Sequence, residues 1–264
     1  MKMKKSLGQN FLQDEYYISK IIDSFELNEN DTVLEIGPGG GILTKNIVNR
    51  VKKLYAVEID QRLLDNLRET LPNENFTLFH EDFMKFNYSD NIEGSDVKIV
   101  GNLPYHITSG IIFKVMDLAA ELNQDIKKIK SLTIMIQREV AERIVGKVDT
   151  KKYGIITVLT SFFSSPEILF DVPPTAFFPK PKVTSTIIRF NFSEKIENIN
   201  KVKDFAFFKK IVKATFLNRR KMLRNTLKPF VEDVNDIKSV DITKRPENIS
   251  VEEFINLANE IIPK

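Results

Sequence analysis

The stretch of this chain best equipped for chemistry is Asn102-Leu103-Pro104-Tyr105. It follows the apolar run Val97-Lys98-Ile99-Val100, which reads as a buried strand, so it falls at that strand's carboxyl end. In open α/β sheets that edge is where ligands bind. An amide, two backbone carbonyls and an aromatic ring in succession suit the capture of a planar ring that carries an amino group. The Asn102 amide oxygen and the Leu103 carbonyl can each accept one amino hydrogen, and Tyr105 offers a face for stacking. Pro104 has no donor and stiffens the turn. A plain Asn-x-Pro turn would use the same residues, so the surrounding sequence decides between the two readings.

Upstream, Thr32-Val33-Leu34-Glu35-Ile36 reads as a strand that runs into Gly37-Pro38-Gly39-Gly40-Gly41, with a helical pattern after it at Ile42, Leu43, Ile47 and Val48. Glycines in such a turn let the backbone approach a ligand closely, because no Cβ intervenes. The dinucleotide fingerprint G-x-G-x-x-G/A, begun at Gly37, needs a small residue at position 42, where the chain has Ile42. Glu35-x-Gly37-x-Gly39-x-Gly41 instead resembles the first motif of S-adenosylmethionine-dependent methyltransferases. A second strand, Lys53 to Val57, ends at Glu58, about 20 residues past the glycine turn, the offset at which an acid receives ribose hydroxyls. A third, Phe76 to Phe79, ends in Glu81-Asp82, where a carboxylate can accept adenine amino hydrogens. Gly37, Gly39, Glu58, Asp82 and Asn102 thus stand at successive strand ends and define an expected site for S-adenosyl-L-methionine.

The elements that must hold these residues alternate. Helical patterns cover 14–25, 41–50, 61–70, 108–121 and 138–146, and strand patterns cover 32–36, 53–58, 76–80, 97–101 and 131–137. Such alternation predicts a mostly parallel, doubly wound sheet. A helix over 154–163 leads to strands at 167–172 and 183–191, expected as an antiparallel edge hairpin around the proline-stiffened loop 173–182. From about 195 onward only helical periodicity is present, over 204–217, 219–228 and 250–262. The expected architecture is α/β: a Rossmann-like methyltransferase sheet in residues 1–194, followed by a small all-helical, basic domain in 195–264.

Composition removes several reaction classes. The chain has no cysteine, so a disulfide framework, a thiolate zinc site, an iron–sulfur cluster and pyrimidine methylation through a cysteine adduct are all excluded. With only His80 and His106, no metal centre is expected. The N-terminus is basic but has no apolar segment of the secretory type. The longest uncharged stretch, Tyr153 to Pro166, is too short and polar to span a bilayer. A soluble, cytoplasmic protein without membrane contact is expected. Charge is unevenly placed: residues 1–176 hold 21 basic and 25 acidic side chains, residues 177–264 hold 18 and 11. Between Lys201 and Lys228 ten Lys/Arg face the single acid Asp204, and Arg219, Arg220, Lys221 and Arg224 lie within that block. Phe205, Phe208, Ile211, Val212, Thr215 and Phe216 recur there at helical spacing. A cationic flank on an amphipathic helix, beside a methyl-transfer site, points to nucleic acid as the substrate.

The ordered blocks together resemble the ribosomal RNA adenine N6,N6-dimethyltransferases. They are Leu7–Leu12, Glu35–Gly41, Glu58–Asp60, Glu81-Asp82, Gly101–Tyr105, Gln137–Arg143, Val172–Ser185, Arg219–Leu227 and Lys244–Glu247. The Pro-Pro-Thr-Ala-Phe stretch at 173–177, Gly8 before Gln9, and Arg245-Pro246-Glu247 are similar to the small-subunit (kasugamycin-sensitivity) branch rather than to the macrolide-resistance enzymes of the large subunit. The resemblance implies S-adenosyl-L-methionine as cofactor, with Asn10, Leu12, Gly37, Glu58, Asp82 and Asn102 in contact with it. It implies Asn102, Leu103, Pro104 and Tyr105 as the catalytic segment, with Phe177 stacking on the target base; Phe178 remains open as its substitute. It further implies two methyls on each of two adjacent adenines in a hairpin loop near the 3′ end of 16S ribosomal RNA, a monomer acting within a pre-ribosomal small subunit, and a part in subunit biogenesis. The alternatives are a large-subunit methyltransferase and a non-catalytic assembly factor on the same scaffold. The chain departs from the family pattern at His106, where Asn is usual, and at Thr108-Ser109, which inverts the usual order.

Overall fold

The computed structural model describes residues 11–71, 74–105, 107–122, 129–192 and 196–262. Asn10 and His106, both singled out above, lie outside the described residues. The chain begins with a short strand β1 (Phe11–Leu12) and helix α1 (Glu15–Ser24), then β2 (Thr32–Ile36), α2 (Thr44–Ile47), β3 (Lys53–Glu58), α3 (Gln61–Thr70), β4 (Phe76–His80) and α4 (Tyr88–Asn91). It continues through β5 (Val97–Asn102), α5 (Thr108–Glu121), β6 (Ile129–Gln137), α6 (Arg138–Ile144), α7 (Ile155–Phe163), β7 (Ser165–Val172), β8 (Phe177–Phe178) and β9 (Ser185–Asn191). The last helices are α8 (Phe205–Leu217), α9 (Leu223–Thr226) and α10 (Val251–Ile261).

Local chemistry starts the helices where the sequence pattern does. The Asp14 carboxylate caps α1 by accepting from the Tyr16 and Tyr17 amides at 3.0 and 3.4 Å, and the helix buries Ile18, Ile21 and Ile22 at helical spacing. Asp60 caps α3 in the same way through the Arg62 amide, and Leu63, Leu64 and Leu67 turn inward. Seven strands form one sheet in the order β4-β3-β2-β5-β6-β9-β7. The pairs from β4 to β6 are parallel, whereas β9 runs antiparallel to β6 from Ser131↔Asn191 to Gln137↔Ser185. β9 and β7 are neighbours at the edge, where the hairpin was expected. Val33, Leu54, Val100, Met135 and Ile187 share one core with the apolar sides of α1, α2 and α3. Lys98, buried in the central strand, is satisfied by the Asp31 carboxylate at 2.7 Å and by the Glu26 carbonyl.

Two expected helices are shorter in the structure. The helix over 41–50 becomes α2 with a 3-10 turn at Val48–Arg50, because Gly41 is held at φ +79° in the preceding turn. The helix over 219–228 reduces to α9, which starts late because the Leu223 and Arg224 amides donate to the Lys244 and Ile242 carbonyls, followed by a 3-10 turn at Lys228–Phe230 where Pro229 lacks an amide.

The chain forms two compact units. One comprises Met1–Ala141 with Glu167–Ser193, the other Glu142–Pro166 with Glu194–Lys264. The expected division at 194/195 therefore misplaces α7, which packs in the second unit. The physical cause is an aromatic cluster: Phe162 and Phe163 of α7 lie 4.7–5.5 Å, centroid to centroid, from Phe205 and Phe208 of α8. Periodicity marks α7 as an apolar helix but carries no information on which core receives it. In the same unit the Tyr153 hydroxyl donates to the Ile249 carbonyl at 2.9 Å, and Ser250 with Glu253 forms a capping box that opens α10.

Candidate active site

The sheet order reverses direction between β2 and β5, where ligands gather in folds of this type. A cavity of about 280 Å³ opens there, near the lower end of small-molecule sites. Its wall brings together Leu12, Gly37, Gly39, Glu58, Asp82, Asn102, Leu103, Pro104, Tyr105 and Phe177 from β1, the β2 turn, β3, the β4 turn, β5 and β8. Every cofactor and catalytic candidate within the described residues is therefore at one place.

The glycine turn is shaped by backbone that other residues adopt poorly. Gly37 and Gly39 sit at φ +66° and +58°, and nothing but backbone lies within 4 Å of where their Cβ atoms would be. Glu58 holds that turn to the sheet. Its Oε2 accepts the Gly39 amide at 3.1 Å and its Oε1 the Asp60 amide at 2.8 Å. Burial raises the Glu58 carboxyl above its ordinary value, while these two amides pull it back down. In the turn after β4 the Asp82 carboxylate accepts the Met84 amide at 2.9 Å. Lys114 on α5 braces the following turn by donating to the Phe83 and Phe86 carbonyls, each at 2.7 Å.

The Asn102–Tyr105 segment begins where β5 ends. Gly101 makes its approach possible, since a Cβ there would meet the Ile36 carbonyl at 2.7 Å. Asn102↔Met135 is the last paired position of β5, and the side-chain amide of Asn102 makes no hydrogen bond among the described residues. Tyr105 is held from behind: its hydroxyl and the Ser185 Oγ are 2.9 Å apart, with Ser185 fully buried at the start of β9. Phe177 is 6% exposed and part of the cavity wall, whereas Phe178, the next residue, is 58% exposed and outside that wall. Between the two phenylalanines left open by the sequence, only Phe177 shares the cavity with Tyr105.

Sequence reasoning gave no role to Lys114 or Ser185, and named Glu35 only as the first residue of the glycine motif. An acid inside an otherwise apolar strand was the signal that could have marked Glu35 as a cavity residue; Ser185 and Lys114 carry no local signal, because their partners are 80 and about 30 residues away. Glu35 is 1% exposed, lines the cavity, and its Oε2 has no hydrogen-bond partner among the described residues. Burial pushes its carboxyl up to about 7; the nearby Thr44 hydroxyl opposes the shift and the Glu58 charge adds to it. A carboxyl raised from 4.5 to about 7 binds its proton more tightly in the folded protein than in the unfolded chain. Stability should therefore fall as pH rises through this window, by roughly 3 kcal/mol. Denaturation of Glu35→Gln between pH 4.5 and 8 should show that slope removed; an unchanged slope would assign it to other groups.

These features fit the expected cofactor. Acceptors stand at the ends of β3 and β4, a Cβ-free cradle lies at the end of β2, and one buried carboxylate oxygen lacks a donor on that cavity's wall. The basic block is arranged differently from the sequence expectation. Arg219 is engaged within its own unit: its Nε donates to Glu247 at 2.8 Å, and its terminal nitrogens donate to the Lys151 and Thr150 carbonyls. Arg220, Lys221 and Arg224 are exposed.

The fold and the site define a Rossmann-like methyltransferase. A sequence profile described as ribosomal RNA adenine dimethylase matches residues 1–263. The chain belongs to that family, whose members are S-adenosylmethionine-dependent enzymes. It is 40% identical over 266 residues to the ribosomal RNA small subunit methyltransferase A of Clostridium botulinum (strain Okra), with 98% of this chain and 94% of the relative covered. In structure it is similar to a dimethyladenosine transferase from Plasmodium falciparum, at TM-score 0.75 and 23% identity, covering 94% of this chain and 95% of that one. It is also similar to the 23S rRNA methyltransferase ErmE, at TM-score 0.65 and 27% identity, covering 96% and 99%.

Proposed function

We propose that this dimethylase transfers methyl groups from S-adenosyl-L-methionine to N6 of two adjacent adenines in a hairpin loop of small-subunit ribosomal RNA, near its 3′ end. The reading rests on one observation above all: Asn102–Tyr105 open onto the same cavity as Glu58 and Asp82. The 40% identity to a small-subunit enzyme over 98% of this chain supports the small-subunit branch. A pre-ribosomal small subunit as the working partner, a monomeric state and a cytoplasmic location belong to the same proposal; among the described residues no helix is long and apolar enough to cross a membrane.

In this proposal Glu58 receives the ribose hydroxyls, Asp82 the adenine amino group, and Leu12, Asn10, Gly37 and Gly39 line the remainder of the cofactor. When bound, the cofactor supplies an electrophilic methyl on a sulfonium centre. The adenine amino nitrogen is a weak nucleophile because its lone pair is delocalised into the ring. The Asn102 amide oxygen and the Leu103 carbonyl accept its two hydrogens, drawing the nitrogen toward tetrahedral geometry and freeing the lone pair. Positive charge grows on that nitrogen during transfer, so these acceptors stabilise the transition state more than the ground state. The target base leaves its stack and lies between Tyr105, fixed by Ser185, and Phe177.

The decisive experiment is incorporation of tritiated methyl into under-methylated small subunits, followed by nucleoside mass spectrometry. N6,N6-dimethyladenosine at adjacent positions is expected; RNA binding without label would favour a non-catalytic assembly factor. The exposed basic residues give a second expectation. Reversal of Arg220, Lys221 and Arg224 to Glu should weaken RNA binding and lower the salt slope by about one per residue removed. Arg219→Ala should chiefly lower thermal stability, since its partners are Glu247 and two carbonyls.

A further inference from the structure

A two-residue strand carries two phenylalanines with opposite fates. Consecutive side chains of a strand point to opposite faces. In β8, Phe177 is buried in the cavity wall, and Phe178 is 58% exposed one residue away. A bare ring of that size is not needed by the core, and β8 is anchored without it through the Leu12↔Phe177 and Phe11↔Phe178 pairings. Along the chain its neighbours are cationic. Lys180 and Lys182 are exposed, make no ion pair among the described residues, and no acid occurs anywhere between Val172 and Phe192. A bare aromatic face flanked by free lysines matches the chemistry of single-stranded nucleic acid, in which bases stack and phosphates pair with cations.

We infer that Phe178, Lys180 and Lys182 form an outer RNA platform, on which the nucleotide next to the target adenine stacks. The inference rests on the proposed reaction and adds to it a partner surface outside the cavity. Extruding a base deprives its neighbour of a stacking partner; an aromatic ring one residue beyond the cavity wall replaces that partner. With two adjacent adenines as substrate, the platform holds one while Phe177 and Tyr105 hold the other.

The test uses the full-length protein and a hairpin RNA with two adjacent loop adenines, with binding followed by fluorescence anisotropy and methyl transfer measured separately. Phe178→Ala should weaken RNA binding about tenfold, within the range for loss of one base–aromatic stack. Affinity for S-adenosylmethionine should be unchanged, which also shows that the variant is folded. Phe178→Tyr should restore binding and Phe178→Leu should not, because a ring is required. Lys180→Gln with Lys182→Gln should lower the salt slope by about two. Unchanged binding in Phe178→Ala would overturn the inference. So would full recovery in Phe178→Leu, which would indicate a protein contact instead of a base. The two proposals fail separately: a wild-type protein that binds this RNA through Phe178 yet transfers no methyl would overturn the reaction and leave the platform.

Discussion

Asn102→Ala is expected to lower methyl transfer by about 10²–10³-fold, the usual cost of removing one group aimed at developing charge. S-adenosylmethionine and RNA should still bind, with affinities within roughly tenfold of wild type. The reason is positional. Asn102 ends β5, its side-chain amide makes no bond among the described residues, and Gly101 lets the strand approach the Ile36 carbonyl closely enough to aim it into the cavity. Truncation leaves the Leu103 carbonyl but removes the acceptor for the second amino hydrogen, so the lone pair stays in the ring. Single-turnover kinetics with saturating cofactor measure this directly. Near-normal turnover would show that the amide plays no part in the chemical step.

Glu58→Ala should have the other large effect, on the cofactor. The carboxylate accepts two backbone amides, from Gly39 and Asp60, and is 6% exposed. Removing it leaves both donors without an acceptor in a buried place, at about 1–3 kcal/mol each. The glycine turn loses its tie to β3, and the cofactor loses the carboxylate proposed to receive its ribose. A fall in S-adenosylmethionine affinity of at least about a hundredfold is expected by calorimetry, together with a lower Tm. Glu58→Gln keeps the volume and one acceptor oxygen, and should lose less of both. Wild-type affinity in Glu58→Ala would remove Glu58 from the cofactor site.

Much of this was legible in the chain. β2, β3 and β4 appear with the boundaries read from hydrophobic pattern, because parallel strands, buried in β2 and β3 and half-buried in the edge strand β4, are short apolar runs between turn residues. The glycine turn and the acids at the ends of β3 and β4 were legible for the same reason. Each sits at a fixed offset from a strand end, and in a parallel sheet all those ends meet at one edge. Less local features were not legible. α2 and α9 start later than their periodicity because Gly41 holds a positive φ and because the Leu223 and Arg224 amides bond to the distant Lys244 and Ile242 carbonyls, neither of which an apolar count registers.

The sequence by itself determined the chemistry available: three strand ends bearing acceptors, a glycine cradle at a fourth, an aromatic beside an amide, and a cationic carboxyl-terminal third without a single thiol. Only the tertiary structure decided which of these groups act together. It put Phe177 in the wall of the cavity that Tyr105 also lines and left Phe178 outside, tied Arg219 to Glu247, buried Glu35 with one oxygen unpartnered among the described residues, and moved α7 into the second unit. Those outcomes depend on contacts between residues far apart in the chain, where burial and the pairing of polar atoms set the energy and no local spacing reveals it.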